Sequence, residues 1–131
     1  MTKIKNMEIN QLTIQVFDIE KSIEFYQKLG LNLIVRSIPT YARFECEKGN
    51  TTFSLHQNDK CNNENGTWIY FETDELDKKV DDLILKGFKF EEMPNDKPWL
   101  WREARLKDLD NNQLIIYHAG KNRQNPPWRI I

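Results

Sequence analysis

This sequence lacks three things: an excess of one charge, a long apolar run, and a patterned set of cysteines. Charged residues make up 30% of its 131 positions, yet the net charge is only -1. No field of one sign is available to draw in nucleic acid or an anionic membrane. No apolar run approaches the ~20 residues that cross a bilayer. The opening MTKIKNMEINQLTI has no long apolar core, so it does not read as a secretory signal, and a soluble, cytoplasmic protein is expected. The two cysteines, Cys46 and Cys61, match neither a CxxC motif nor a disulfide framework. Free thiols are expected, Cys46 as a small apolar strand residue and Cys61 as a loop thiol. A nucleophilic cysteine needs a basic partner, and neither histidine is near in sequence, so that role is not expected.

What is present is alternation. Leu12, Ile14 and Val16 alternate with Gln11, Thr13 and Gln15, a strand with one apolar face. Asp18 can cap a helix carrying Ile19, Ile23, Tyr26 and Leu29, and Gly30 can end it. Leu31–Val35, Tyr41–Cys46 and Thr51–His56 read as strands, the last two around the turn Lys48-Gly49-Asn50. Polar residues 58–66 form a linker, and then the order recurs. Trp68–Glu72 is a strand, Asp74 a helix cap, and Gly87 the helix end, which sets Asp18 against Asp74 with one inserted residue before Gly87. Phe88–Glu91 reads as a strand, Met93–Pro98 as a loop, and Trp101–Lys107 and Gln113–Tyr117 as strands. An α+β fold of two βαβββ repeats follows, spanning about 8–57 and 67–119 of a single domain 1–131 with a tail at 120–131. Two such sheets joined edge to edge make a curved, half-open mixed β-sheet barrel with helices outside and a ligand cleft inside.

Two strings carry a resemblance. VFDIEKSIEFYQKLGLNL is similar to the strand-Asp-helix opening of the vicinal oxygen chelate superfamily, which includes glyoxalase I, bleomycin-resistance proteins, fosfomycin-resistance enzymes and extradiol dioxygenases. KDLDNNQLIIY resembles the family's D-P-D-G-N turn and last strand, with Leu109 where proline is usual and Asn111 where glycine is usual. Asparagine tolerates positive φ, so the turn is expected to survive. The likeness covers Ile9–Ala119. It implies the fold above, a small-molecule ligand and a homodimer. It also implies up to four metal-ligand positions, at Gln11, Ser54, Trp68 and Ile115. Only Gln11 among these is a ligand type, so neither a metal nor another cofactor is expected, and strict glyoxalase chemistry, which needs the ion, is not expected either.

The cleft-facing set is then Gln11, Thr13 and Gln15; Ser54 and His56; Trp68, Tyr70 and Glu72; Ile115 and Tyr117. Aromatics with a few polar groups suit a small-molecule pocket, though packing on one another or forming a subunit interface explains them too. His56 is a general base, a hydrogen-bond donor, or an exposed strand end; Glu72 is a base or a solvated strand end. Arg43 and Arg102, each on the third strand of a repeat, are candidates to hold an anionic group, with internal ion pairing or stacking as the rival. His118 falls on the helix side. The tail KNRQNPPWRII has two prolines and an apolar end that docks on its own domain, closes the cleft, or binds a second subunit. Three functions remain: a metal-free ligand-binding protein, a metal-independent isomerase or lyase using His56 or Glu72, and a dimeric interaction module.

Overall fold

The computed structural model describes residues 7–62, 64 and 66–130. The chain divides after Asn62 into two units. In the first, strand β1 (Gln11–Val16) leads to helix α1 (Ile19–Leu29), then to β2 (Asn32–Ser37), β3 (Tyr41–Glu45) and β4 (Thr52–Gln57). In the second, β5 (Trp68–Glu72), α2 (Leu76–Leu85), β6 (Glu92–Asp96), β7 (Arg102–Lys107) and β8 (Gln113–His118) repeat the order, and a short helix α3 (Lys121–Gln124) follows. Each unit forms one four-stranded sheet, ordered β1-β4-β3-β2 and β5-β8-β7-β6. The first strand of each pairs parallel with the fourth, and the remaining pairs are antiparallel. These are the two mixed βαβββ modules that the alternation implies.

The helix ends show why the modules match. Asp18 Oδ1 accepts the Lys21 amide at 3.2 Å, a side-chain cap on α1. Gly30, at φ 121°, stops the helix, with its own N–H on Gln27 O at 3.1 Å and that of Leu31 on Tyr26 O at 3.0 Å. Gly87, at φ 99°, ends α2 in the same way, through Ile84 O at 3.0 Å and Leu83 O to Phe88 at 3.1 Å. One constant offset relates Ile19 to Leu76 and Gly30 to Gly87, so Glu75 stands opposite Asp18 with no inserted residue. The expected Asp74 cap is therefore one position early. Glu75 occupies the cap without a side-chain capping bond, and its own amide reaches the Thr73 hydroxyl at 3.4 Å.

The sixth strand is displaced from the expected Phe88–Glu91 to Glu92–Asp96, within the segment read as a loop. Phe88 is held by the helix terminus, and pairing with β7 starts only where the Glu91 amide meets Arg105 O at 2.8 Å. Pro94 lies in this strand because β6 is an edge, and the register shifts between Glu92 and Asn95. Tyr26, Phe44 and Phe53 pack under α1 with ring centroids 4.9 to 6.5 Å apart. Val80, Leu83, Leu106 and Leu114 are fully buried in the second unit. Among the described residues no helix is long and apolar enough to cross a membrane.

The turn between β7 and β8 keeps its form on different residues. Asn111 takes φ 64°, as expected of an asparagine in the glycine position. Asp108 Oδ1 accepts the amides of Asp110 and Asn112 at 2.9 and 2.8 Å, and Asn112 Oδ1 in turn accepts the Thr67 amide at 2.8 Å. The linker thus runs against the turn, and Gly66 is where it comes closest. A Cβ there would lie 2.1 Å from Asn111 O, a backbone atom that cannot rotate away. Gly66→Ala is expected to destabilise the fold by roughly 1–3 kcal/mol, as overpacking does, whereas Gly49→Ala meets no atom within 4 Å and pays only for its φ of 84°. Urea unfolding of the two variants checks this. Equal stability would contradict the close approach.

Candidate functional site

In each unit the helix covers one sheet face and leaves the other open. On the first sheet the open face is polar. Thr13, Ser54 and Arg43 lie in one row, and Gln15, His56 and Tyr41 in the next. Gln11 Nε2 donates to Ser54 Oγ at 2.6 Å and to Thr13 Oγ1 at 3.1 Å, and its Oε1 accepts from Thr52. Ser54, fully buried, also bonds the Tyr41 hydroxyl at 2.6 Å, and Arg43 Nε donates to that hydroxyl at 2.8 Å. Desolvation works against ionising Tyr41, but the Ser54 and Arg43 hydrogen bonds and the guanidinium charge outweigh it and hold the phenol below its usual value. His56 is exposed near the strand end, and its side chain makes no hydrogen bond to the other described residues.

On the second sheet the open face is aromatic. Trp68 is 59% and Tyr70 44% exposed on the edge strand β5. Tyr70 meets Trp101 and Tyr117 edge-on at 6.0 and 5.6 Å, and those two stack at 4.7 Å. Ile115 and Tyr117 are buried beneath them. Burial, with Glu72 close by, pushes the Tyr117 phenol up. Charge enters from β7: Glu103 is 1% exposed, accepting from Trp99 Nε1 at 2.8 Å and Arg105 Nη2 at 3.1 Å. The Arg105 guanidinium lies 5.0 Å from the Trp68 ring centroid.

Against known proteins, a profile described as Glyoxalase/Bleomycin resistance protein/Dioxygenase superfamily matches residues 8–116. This chain belongs to that superfamily. It is 32% identical over 127 residues to the uncharacterized protein YraH of Bacillus subtilis (strain 168), covering 85% of this chain and 98% of that one. Among solved structures, a glyoxalase/bleomycin resistance protein/dioxygenase from Nocardioides superposes with a TM-score of 0.78 at 21% identity, over 98% of this chain and 93% of the other. TnmS3, an antibiotic binding protein from Streptomyces sp. CB03234, gives a TM-score of 0.73 at 18% identity, over 89% and 99%. At such identities the structural likeness is one of fold.

Within this superfamily member, the residues singled out from sequence divide between the two faces. Gln11, Thr13, Ser54, His56 and Arg43 share the first sheet's open face; Trp68, Tyr70, Glu72 and Tyr117 share the second's. Arg102 is not among them. It turns to the helix side, where Asp77 of α2 accepts two bonds at 2.9 and 3.0 Å and Asp96 a third at 3.1 Å. The carboxylates hold its pKa up, and as a surface cluster it contributes little to stability. Missed from sequence were Glu103 and Arg105. Buried Ala104 and Leu106 alternate with them and share the face of Arg102, so the period-2 pattern on β7 already placed Glu103 and Arg105, not Arg102, on the open side.

Glu72 is bound up rather than solvated. Its Oε2 accepts the Ala119 and Gly120 amides at 2.7 and 2.9 Å, and Arg123 lies 3.7 Å from Oε1. Trp101 Nε1 donates to Asn122 O at 3.3 Å, so Glu72 and Trp101 together tie the turn before α3 and α3 itself to the sheet. His118 sits on the helix side with Nδ1 3.1 Å from Thr73 O. The tail begins as the helix Lys121–Gln124 and leaves Trp128 exposed; Ile131 lies outside the described residues. Cys46 and Cys61 are half-buried thiols outside any disulfide; Cys61 Sγ donates to Gln15 O at 3.5 Å, and burial raises the Cys46 thiol. A hollow of about 690 Å³ beside the α1 N-terminus, lined in part by Phe17, Ile38 and Pro39, went unforeseen; its Asp18 caps α1 and its Glu20 pairs with Arg36 at 2.7 Å. Glu72→Gln keeps an acceptor oxygen but removes the charge from both hydrogen bonds, and should speed amide exchange at Ala119 and Gly120 by roughly tenfold. Exchange measured by NMR at those two amides checks this, and unchanged rates would remove Glu72 as the clamp.

Proposed function

We propose that this chain is a small-molecule binding protein of the glyoxalase/bleomycin-resistance type that holds its ligand against the aromatic open face of the second sheet, without the family's divalent ion. The observation that carries the reading is the exposed pair Trp68 and Tyr70, set against the Trp101–Tyr117 stack. Large rings left open on a backed, ordered surface are the usual lining of a ligand site. The name of TnmS3 as an antibiotic binding protein supports the same class of function.

The residues at the family's ligand positions do not fit a metal. The Gln11 carbonyl already accepts from Thr52, and Ser54 is buried between Gln11 and Tyr41. The Trp68 indole offers only a donor, and Ile115 is buried and apolar. No step of a reaction is therefore routed through an ion. A metal-independent isomerase or lyase is a second reading, favoured by one observation: exposed His56 stands paired with Tyr41, whose hydroxyl is held below its usual pKa. On that reading His56 is the base; Glu72, already engaged by two amides, is not.

Two measurements test the first reading. After incubation with nickel, zinc or manganese and desalting, elemental analysis should find less than about a tenth of an ion per chain. Fragment screening read on the Trp68 indole N–H signal should yield ligands whose affinity, measured by calorimetry, falls by roughly tenfold in Trp68→Leu, the scale of one aromatic contact. Near-stoichiometric metal, or fragments that never move that signal, would overturn it.

A further inference from the structure

The Arg105 guanidinium is matched in charge but short of acceptors. Glu103 and Glu92 face it, at 3.1 and 3.8 Å, and Lys97 bonds Glu92. The cluster therefore holds two cations and two carboxylates and sums to zero. Lys107 with Glu91 at 3.9 Å, and Arg123 with Glu72 at 3.7 Å, are the other ion pairs of this face and its edge. A guanidinium carries five N–H donors. Among the described residues the Arg105 guanidinium makes a single hydrogen bond, Nη2 to Glu103 Oε1 at 3.1 Å. Its Nε is buried and has no hydrogen-bond acceptor among the described residues. Unsatisfied donors beside a charge already neutralised call for an acceptor that brings no charge of its own.

From this, and resting on the ligand-binding reading above, we infer that the ligand of the second sheet is a neutral planar aromatic molecule carrying a carbonyl or ring-nitrogen acceptor. Its ring lies against exposed Trp68 and Tyr70, and its acceptor meets the part of the Arg105 side chain that is 22% exposed. An anion at the same place adds a third negative charge beside Glu103, which is 1% exposed and poorly screened by solvent. A cation leaves the guanidinium without an acceptor and opposes Arg105 and Lys97. An aromatic hydrocarbon keeps the stacking but leaves the donors unmet. The polarity of the site, rather than its shape alone, thus discriminates.

Three probes separate the neutral acceptor from the anion and the hydrocarbon: coumarin, which is neutral with a lactone carbonyl; coumarin-3-carboxylate, anionic at neutral pH; and naphthalene, with no acceptor. Each is titrated into the intact chain and followed on the Trp68 indole N–H. Coumarin should bind roughly tenfold more tightly than either of the others. Arg105→Met should bring coumarin down to the level of naphthalene. Glu103→Gln, which removes the charge and keeps one of the two acceptor oxygens that Trp99 and Arg105 use, should tighten coumarin-3-carboxylate; Glu92→Gln provides the same test if the buried substitution fails to fold. Coumarin-3-carboxylate binding as tightly as coumarin, or coumarin unaffected by Arg105→Met, would overturn this assignment and leave the binding site standing. If none of the three moves the Trp68 signal at millimolar concentration, the site itself falls with it.

Discussion

Parallel pairing of the first strand with the fourth is the constraint from which the rest of each unit follows. A parallel neighbour cannot be reached by a tight turn, so the chain must cross over one sheet face, and it does so partly as α1 or α2. That face becomes the core. Ile14, Val16, Phe53 and Leu55 are buried there in the first unit, and Ile69, Leu114 and Ile116 in the second. The strand period of two then sends every alternate side chain to the open face. Which residues are free to meet a ligand is decided by this pairing before any chemistry enters.

The two open faces have diverged on one scaffold. Where the first sheet has Gln11, Thr13, Ser54 and His56, register puts Trp68, Tyr70, Ile115 and Tyr117 in the second. The polar set is linked to itself through Gln11, Ser54, Tyr41 and Arg43. The aromatic set packs its inner members and leaves its edge strand exposed. Arginine occurs at the same place in both, Arg43 paired with Ser54 and Arg105 with Ile115. Arg43 has a phenol to bond, whereas Arg105 lies over an indole, which accepts no ordinary hydrogen bond. The same residue thus bonds through its Nε in one sheet and leaves that Nε buried without an acceptor among the described residues in the other.

Charge on the second sheet is used to hold parts in place. Glu72 secures the turn leading to α3, and Trp101 bonds that helix from the same face. Glu103 anchors Trp99 and Arg105 from a buried position. A buried carboxylate is tolerated only when its acceptor sites are filled, and here an indole N–H and a guanidinium fill them. The outcome is a surface whose rings are exposed and whose ions are locked in pairs.

The modules were legible in the sequence because hydrophobic alternation and helix-ending glycines are local. Asp18, Gly30 and Gly87 act on residues within one turn of themselves, and Asn111 needs only its own φ. The sequence by itself thus determined the βαβββ order, the paired helix stops, and the sidedness of β1, β4, β5 and β8. Where local signals competed, reading failed: Phe88–Glu91 looks like a strand, but the Schellman turn claims Phe88, and Pro94 enters β6 only because that strand has one partner. Only the tertiary structure decided the partners. Arg102 belongs to Asp77, Glu72 to the amides of Ala119 and Gly120, and Arg105 to Glu103 and Trp68, each pairing, apart from Arg105 with Glu103, bridging residues distant in sequence. A hydrogen bond depends on distances of a few tenths of an ångström, and those are set by strand register and packing rather than by local composition.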